Sequence, residues 1–250
     1  VSIVDVLAAR LIEDVKSNDL SGSFLMLGRQ DWIGARRSKS AALFRETLQK
    51  YLPGVAEADL RNPDDGYSET FFRKLGFSEV DSLDFSDFEG ASIVQDLAGD
   101  LPENLVGRFD VIYDGGTCEH VFDLPTAYRN IDKMLKRGGV FIAHSPSNNW
   151  INHGFYQICP EIVYGFWVNA MNYEALKCVW QPLRPYAARD VVKMTDPNKT
   201  KKRPRPLGTF GPGLPVLLDY VVRKPVAGTK TSENVSQSDY ATRWENTQKA

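Results

Sequence analysis

The run Asp114-Gly115-Gly116-Thr117-Cys118-Glu119-His120 gathers two acids, a thiol and an imidazole on one short stretch. An acid ahead of two glycines can form a tight turn or hold a ligand, because a residue without Cβ lets the backbone come close. His120 is a candidate general base, since an unperturbed imidazole titrates near neutrality, and it equally suits a packing or hydrogen-bonding role. His153, within Asn152-His153-Gly154-Phe155-Tyr156, is the second candidate and the better placed to touch a substrate. Together with His144, Cys118 and Cys159 these residues carry metal-binding atoms, but the Cys118-x-His120 spacing fits no common zinc motif. No metal site is expected.

The surrounding elements must position this run. Val111-Ile112-Tyr113 is a short, apolar, β-prone segment that Asp114-Gly115-Gly116 ends. Asp123 can cap a helix with Pro125 in its first turn, and Ala127, Ile131, Met134 and Leu135 recur at helical spacing. Lys136 and Arg137 fall in its last turn, Gly138-Gly139 stop it, and Val140 to Ala143 form the next strand. Two wholly apolar strands joined by a helix make a crossover unit of a parallel sheet, with ligands beyond the carboxyl ends of the strands.

Upstream, the apolar spacing predicts a helix over residues 4–15, a strand over Phe24–Leu27, a helix over 38–52 and a short helix over Ser68–Leu75 capped by Gly76. Strands follow at Val80–Phe85 and Ala91–Val94, and later at Leu176–Leu183 and Leu214–Val222. A dinucleotide or adenosyl ligand on such a sheet needs a close-approach turn after the first strand, an acid after the second for ribose, and a polar group after the third for adenine. Gly28, Asp84 and Asp96 stand at those places, with Phe85 and Leu97 as candidate walls. An Asp at a strand end also serves as a turn former or helix cap. Arg29 and Gln30 follow a lone glycine, either to bind a ligand carboxylate or to close the loop against the protein. Gly28 and Asp84 lie much further apart than the ~20 residues of a minimal dinucleotide unit, and the excess holds the predicted helices as an insertion.

The ordered series of a strand ending in Asp-Gly-Gly, then Glu119-His120, a helix and Leu135-Lys136-Arg137-Gly138-Gly139 resembles the late half of class I S-adenosylmethionine-dependent methyltransferases. The resemblance spans residues 22–170 and is strongest to the small-molecule methyltransferases of that superfamily. It implies a doubly wound, Rossmann-like α/β fold with a seven-stranded, mostly parallel sheet in a single domain. It also implies S-adenosylmethionine as cofactor, with Asp114 and Gly115 near its methionine part, and methyl transfer to a small-molecule or sugar-like acceptor. In that family the histidine equivalent to His120 often packs beside the cofactor. Two alternatives are a catalytically inactive protein of the same fold that binds or scaffolds, and a nicotinamide-dependent oxidoreductase on a related sheet.

The bulk properties fit one such domain. The chain has 250 residues, 42% hydrophobic and 25% charged, an ordinary globular balance. A formal net charge of -2 provides no basic field for nucleic acid or anionic membrane. The run Lys201-Lys202-Arg203-Pro204-Arg205, in a basic loop from Lys199 to Pro206, reads as solvated. No apolar run reaches membrane-spanning length and no signal-peptide pattern is visible, so a cytoplasmic protein is expected. The three cysteines lack disulfide or zinc spacing, which agrees with a reducing compartment. Residues 1–21 are expected to pack on the domain as a helix, 22–226 to form the domain, and 227–250 to be a free polar tail. In that tail Tyr240 and Trp244, four apart, would share a helical face if they anchored it. The aromatic segment from Trp150 to Trp167, with Asn148, Asn149, Asn152 and Gln157, reads as a pocket lid; core packing or a homo-oligomer contact are the alternatives.

Overall fold

The computed structural model describes residues 2–34, 39–184, 187–202, 209–230, 235–238 and 240. The chain begins with β1 (Ser2–Val4), α1 (Asp5–Ser17), β2 (Gly22–Leu27), β3 (Asp31–Gly34), α2 (Lys39–Tyr51), α3 (Glu69–Leu75) and β4 (Phe77–Asp84). It continues through β5 (Ile93–Val94), β6 (Phe109–Asp114), α4 (Leu124–Met134), β7 (Leu135–Asn148) and a π-helix at Ile162–Ala170. The last elements are β8 (Glu174–Pro182), β9 (Val192–Lys193), α5 (Pro197–Thr200) and β10 (Val216–Arg223).

The main sheet has eight strands in the order β5-β4-β2-β6-β7-β10-β8-β9. Strands β5, β4, β2, β6 and β7 run parallel, whereas β10 is antiparallel to both its neighbours and β9 to β8. The chain winds outward from β2 in one direction and from β6 in the other, so the switch point lies between them. This is the doubly wound, mostly parallel α/β sheet that the resemblance implies. The strand count is one higher than expected, because the short edge strand β9 carries few residues and no apolar periodicity to betray it.

Both faces of the sheet are covered, which is why its central strands are apolar throughout. Along β6, Val111 and Tyr113 face α1, α2 and α3 with Phe24, Phe44, Phe71 and Phe72, while Ile112 faces the opposite core. That second core holds Tyr128 of α4, Phe141 of β7, Trp167 of the π-helix and Tyr220 of β10. Helix α1 buries Val6, Leu7, Leu11, Ile12 and Val15 at helical spacing. Gly76 ends α3 in a left-handed conformation, φ 113°, which a residue without Cβ adopts at little cost.

Four expectations need correction. Helix α4 starts as predicted, with Asp123 accepting from Thr126 N at 3.2 Å, but it ends at Met134. The amides of Gly107 and Arg108 take the carbonyls of Lys133 and Met134 at 2.8 and 3.0 Å, so Lys136 and Arg137 begin β7 instead of closing the helix. The aromatic segment is not a lid throughout, since Tyr164, Phe166 and Trp167 are buried and Trp167 packs on Tyr128, Phe141 and Tyr173. The N-terminal segment is more than a helix: β1 pairs in parallel with β3, in a two-stranded sheet beside the main one.

The described part of the tail is not free either. Thr229 Oγ1 donates to Asp132 Oδ2 at 3.2 Å, Val235 lines a groove with Tyr128, Ile158 and Phe166, and buried Ser238 hydrogen-bonds Glu161 through its amide and its hydroxyl. Those polar anchors are invisible to a count of apolar residues. Tyr240 is described; Trp244 and Arg203–Pro206 of the basic loop lie outside the described residues. No helix among the described residues is long and apolar enough to cross a membrane.

Candidate functional site

The carboxyl ends of β2, β4 and β6 bring Gly28, Asp84 and Asp114-Gly115 together at the switch point. Gly28 has φ 69°, and a Cβ added there would lie 2.8 Å from Thr117 Oγ1, 3.4 Å from Gln30 Nε2 and 3.9 Å from Asp84 Oδ2. A Cβ on Gly115 would sit 2.7 Å from Gln30 Oε1. Both glycines are therefore demanded by close approach, whatever ligand the cleft takes. Asp84 is half-buried, and its Oδ1 accepts from the amide of Phe85 at 2.7 Å. Phe85 itself is 76% exposed beside the acid.

The loop after β2 is closed against the protein. Arg29 donates to Glu69 at 2.7 Å and to the carbonyl of Glu89 at 2.9 Å, and it stacks on Tyr67 at 3.8 Å. Gln30 is fully buried, with Nε2 on the carbonyls of Leu27 and Gly28 at 2.9 and 3.4 Å. Its Oε1 has no hydrogen-bond partner. Of the two readings left open for these residues, the structure shows the loop-closing one for Arg29, while Gln30 keeps one unused acceptor. The segment is fastened further by Trp32 N to Gly66 O at 2.7 Å and Ser68 N to Gln30 O at 3.0 Å.

Asp114 organises the next turn. Its Oδ1 accepts from the amides of Gly116, Thr117 and Cys118 at 3.1, 2.7 and 3.4 Å, while its buried Oδ2 has no nitrogen or hydroxyl donor among the described residues. Thr117 Oγ1 closes the turn on Leu27 O at 2.7 Å. Asp96 is exposed and caps a turn by accepting from Ala98 N at 2.9 Å. Leu97 is buried in the core next to that turn, so it forms part of the floor of the fold and presents no free wall.

His120 and His153 converge on Glu119, a residue whose neighbourhood sequence reasoning noted without assigning it a role. Glu119 sits within a short 3₁₀ turn (Cys118–His120) and is 0% exposed, whereas the two imidazoles are 46% and 39% exposed. Its Oε1 lies 3.7 Å from His120 Nε2 and 3.4 Å from His153 Nε2, and neither carboxyl oxygen has a hydrogen-bond partner in another of the described residues. Burial, reinforced by the charge of Asp114, pushes the Glu119 carboxyl up to about 8. Burial and the neighbouring His120 lower His153. The loop carrying His153 is clamped by the amides of Phe155 and Tyr156 on the Glu119 carbonyl at 2.8 and 3.3 Å. Gly154 permits that clamp, since a Cβ there would lie 2.8 Å from Glu119 O. A glycine directly after a histidine in an amide-rich loop was the available sequence signal.

His144 belongs elsewhere. It lies on the α1 face of the sheet, with Nδ1 3.0 Å from Tyr113 OH and Nε2 3.5 Å from Asp219 Oδ1. Lys177 reaches Asp219 at 2.7 Å and Asp14 at 2.8 Å in the same buried row.

No protein-family model matches the chain, and no curated protein matches it in sequence. Among solved structures it is similar to 1,6-didemethyltoxoflavin-N1-methyltransferase from Burkholderia thailandensis, seen with that compound and S-adenosylhomocysteine. That likeness covers 88% of this chain and 80% of the other at 14% identity and a TM-score of 0.43. The N-methyltransferase NodS from Bradyrhizobium japonicum is 12% identical over 87% and 94% of the chains, TM-score 0.42. A candidate S-adenosyl-L-methionine-dependent methyltransferase from Methanococcus maripaludis is 16% identical over 93% and 87%, TM-score 0.40. Resemblance this distant leaves activity, cofactor and acceptor to the side chains of the cleft.

Proposed function

We propose that the cleft binds S-adenosylmethionine and that the protein transfers its methyl group to a small-molecule acceptor. The observation that carries this reading is the convergence of Gly28, Asp84 and Asp114-Gly115 at the switch point, with acceptor atoms left over at each strand end. Asp84 would accept from the ribose hydroxyls, and charge-assisted hydrogen bonds of that kind contribute roughly 1.5–3 kcal/mol each. Phe85, exposed beside it, offers an apolar face to adenine, and Asp96 has one carboxylate oxygen free of the Ala98 turn for the adenine amino group. The unpartnered Asp114 Oδ2 and Gln30 Oε1 are acceptors suited to the ammonium of the methionine part.

The cofactor supplies an electrophilic methyl on a sulfonium. Gly28, Gln30, Asp84 and Asp114-Gly115 would hold that group at the switch point, and an acceptor that must lose its proton would give it to a base or to water. Positioning does most of this work. An apolar groove of about 520 Å³ beside the Cys118–His120 turn, lined by Leu124, Tyr128, Tyr156, Ile158 and Phe166, supports an acceptor of small-molecule size. His120 and His153 stand at the exposed rim, placed to contact the acceptor.

S-adenosylhomocysteine should raise the melting temperature, because a ligand that binds only the native state stabilises it by mass action. Asp84→Ala should abolish most of that shift, with affinity lower by about tenfold or more, while the ligand-free melting temperature stays close to the parent's. Tight binding by Asp84→Ala would remove Asp84 from the site. No shift in the parent would overturn the reading and leave a binding protein that has kept the fold without the cofactor.

A further inference from the structure

We propose that Glu119, His120 and His153 form a binding site for one divalent transition-metal cation at the mouth of the cleft. Their three ligand atoms lie within 4.8 Å of one another. Glu119 Oε1 stands 3.4 and 3.7 Å from the two Nε2 atoms, too far for a good direct hydrogen bond. Those separations are what two ligands show when each is bound to the same ion at ~2.0–2.2 Å in tetrahedral or wider geometry. The donor set, two imidazoles and one carboxylate, suits Zn²⁺, Fe²⁺ or Mn²⁺ over the hard cations that prefer oxygen alone.

The independent observation is the state of Glu119. Its carboxyl is wholly buried, points at the two imidazoles and takes no hydrogen bond from another residue among those described. A carboxylate taken out of water without a donor or a cation is costly, and a cation held by the histidines removes that cost. The molecule contains a control. Asp14, His144 and Asp219 place their ligand atoms equally close together, but the ammonium of Lys177 sits among them at 2.7–3.0 Å from the carboxylates and supplies the cation. No lysine or arginine is paired with Glu119 among the described residues.

The backbone holds the ligands ready. Glu119 and His120 share one 3₁₀ turn, and the two amide bonds from Phe155 and Tyr156 to the Glu119 carbonyl fix the His153 loop beside it. The imidazoles are open to solvent on their outer side, so an ion held by three protein ligands keeps positions for water or for an oxygen of the bound acceptor. Any part the ion plays in methyl transfer rests on the proposed function; its binding does not.

Isothermal titration of the chelator-treated protein with ZnCl₂, and separately with MnCl₂, tests the site. One equivalent of Zn²⁺ or Mn²⁺ should bind, and His120→Ala and His153→Ala should each weaken binding at least tenfold. Both side chains are exposed enough that the metal-free variants should melt with the parent. Cys159→Ser, which removes the exposed thiol, should bind as the parent does. Absence of stoichiometric binding in the parent, unchanged binding in both histidine variants, or loss of binding in Cys159→Ser would each overturn the proposal. The S-adenosylhomocysteine shift measured with chelator present reports on the cofactor site alone, so failure of one reading is distinguishable from failure of the other.

Discussion

Of two clusters of acid and histidine, one lies within the sheet under α1 and the other beyond the carboxyl end of β6, and they are satisfied in different ways. Under α1, Tyr113, His144, Asp219 and Lys177 form a row across four adjacent strands, with Asp14 of the helix closing it. There the protein supplies its own cation, and Asp219, drawn below the usual carboxylate range by Lys177 and His144 despite burial, remains the anion. Beyond β6, Glu119 is as deeply buried, and among the described residues its ion-pair partners are the rings of His120 and His153. A closed cluster joins helix to sheet and serves the fold. An open cluster of the same residue types can take a ligand, because no lysine or arginine is paired with it among the described residues.

The sharpest way to break this contrast is to remove Lys177. Lys177→Met leaves Asp14 and Asp219 buried without their cation, and breaking a buried pair in this way costs about 3–5 kcal/mol. For a chain of this size that lowers the melting temperature by roughly 10 °C or more. A loss of only a degree or two would show that the cluster under α1 is as dispensable to the fold as the open one.

The next effect is in pH. Burial raises Asp14 from 3.8 to about 6, against the lowering charge of Lys177, which Asp219 also claims. An acid whose pKa is higher folded than unfolded contributes stability that is complete below the unfolded value and lost as pH rises through the folded one. The asparagine variant has no such titration. The melting temperature of Asp14→Asn relative to the parent should therefore rise between about pH 4 and pH 7. A difference that stays flat across that range would place the proton elsewhere in the row.

The open cluster should respond with the opposite sign and less strongly. Glu119→Gln replaces a buried carboxyl lacking partners by a neutral amide of the same size, and metal-free stability should hold or rise by about 1 kcal/mol. A drop comparable to that of Lys177→Met would mean that Glu119 is structural after all. The smallest effect concerns the tail. Ser238→Ala removes one hydroxyl bond to Glu161 and leaves the amide bond, so it should lower stability by about 0.5–1 kcal/mol, read from urea unfolding.

The framework of the fold was legible because strands buried on both faces are apolar over several residues, as at Phe24–Leu27, Val111–Tyr113 and Val140–Ala143, and because Asp123 and Gly76 mark helix ends chemically. Gly28, Asp84 and Asp114-Gly115 were found as strand-end residues of that framework. What the sequence hid was long-range. The closure of Arg29 on Glu69 and Glu89, the alignment of His144 with Asp219 and the meeting of Glu119 with His153 all depend on residues brought together from separate elements. No local period records them. The π-helix was missed for another reason: its aromatic density resembles a binding surface as much as a core.

The stitching of the loop after β2 divides the cleft between a fixed wall and a revisable one. Asp31–Gly34 is paired to β1, bridged to Tyr67 and followed by a backbone bond from Trp32 to Gly66, so the Gly28 side is fastened from several directions at once. The stretch from Asn149 to Gln157 is mostly exposed and is tied down by a handful of bonds, among them Asn149 to Leu214 O at 2.7 Å, Trp150 Nε1 to Val216 O at 3.0 Å and Tyr156 OH to Phe122 O at 2.7 Å. In evolutionary terms the two walls carry different liabilities. Exchanges at the exposed residues 151–155 can alter what the cleft admits without touching the packing that orients Asp84, whereas exchanges at 28–34 reach α3, β1 and the Gly28 turn together. Divergence in acceptor preference would accumulate on the histidine side, with the glycine side left as the shared inheritance of the fold.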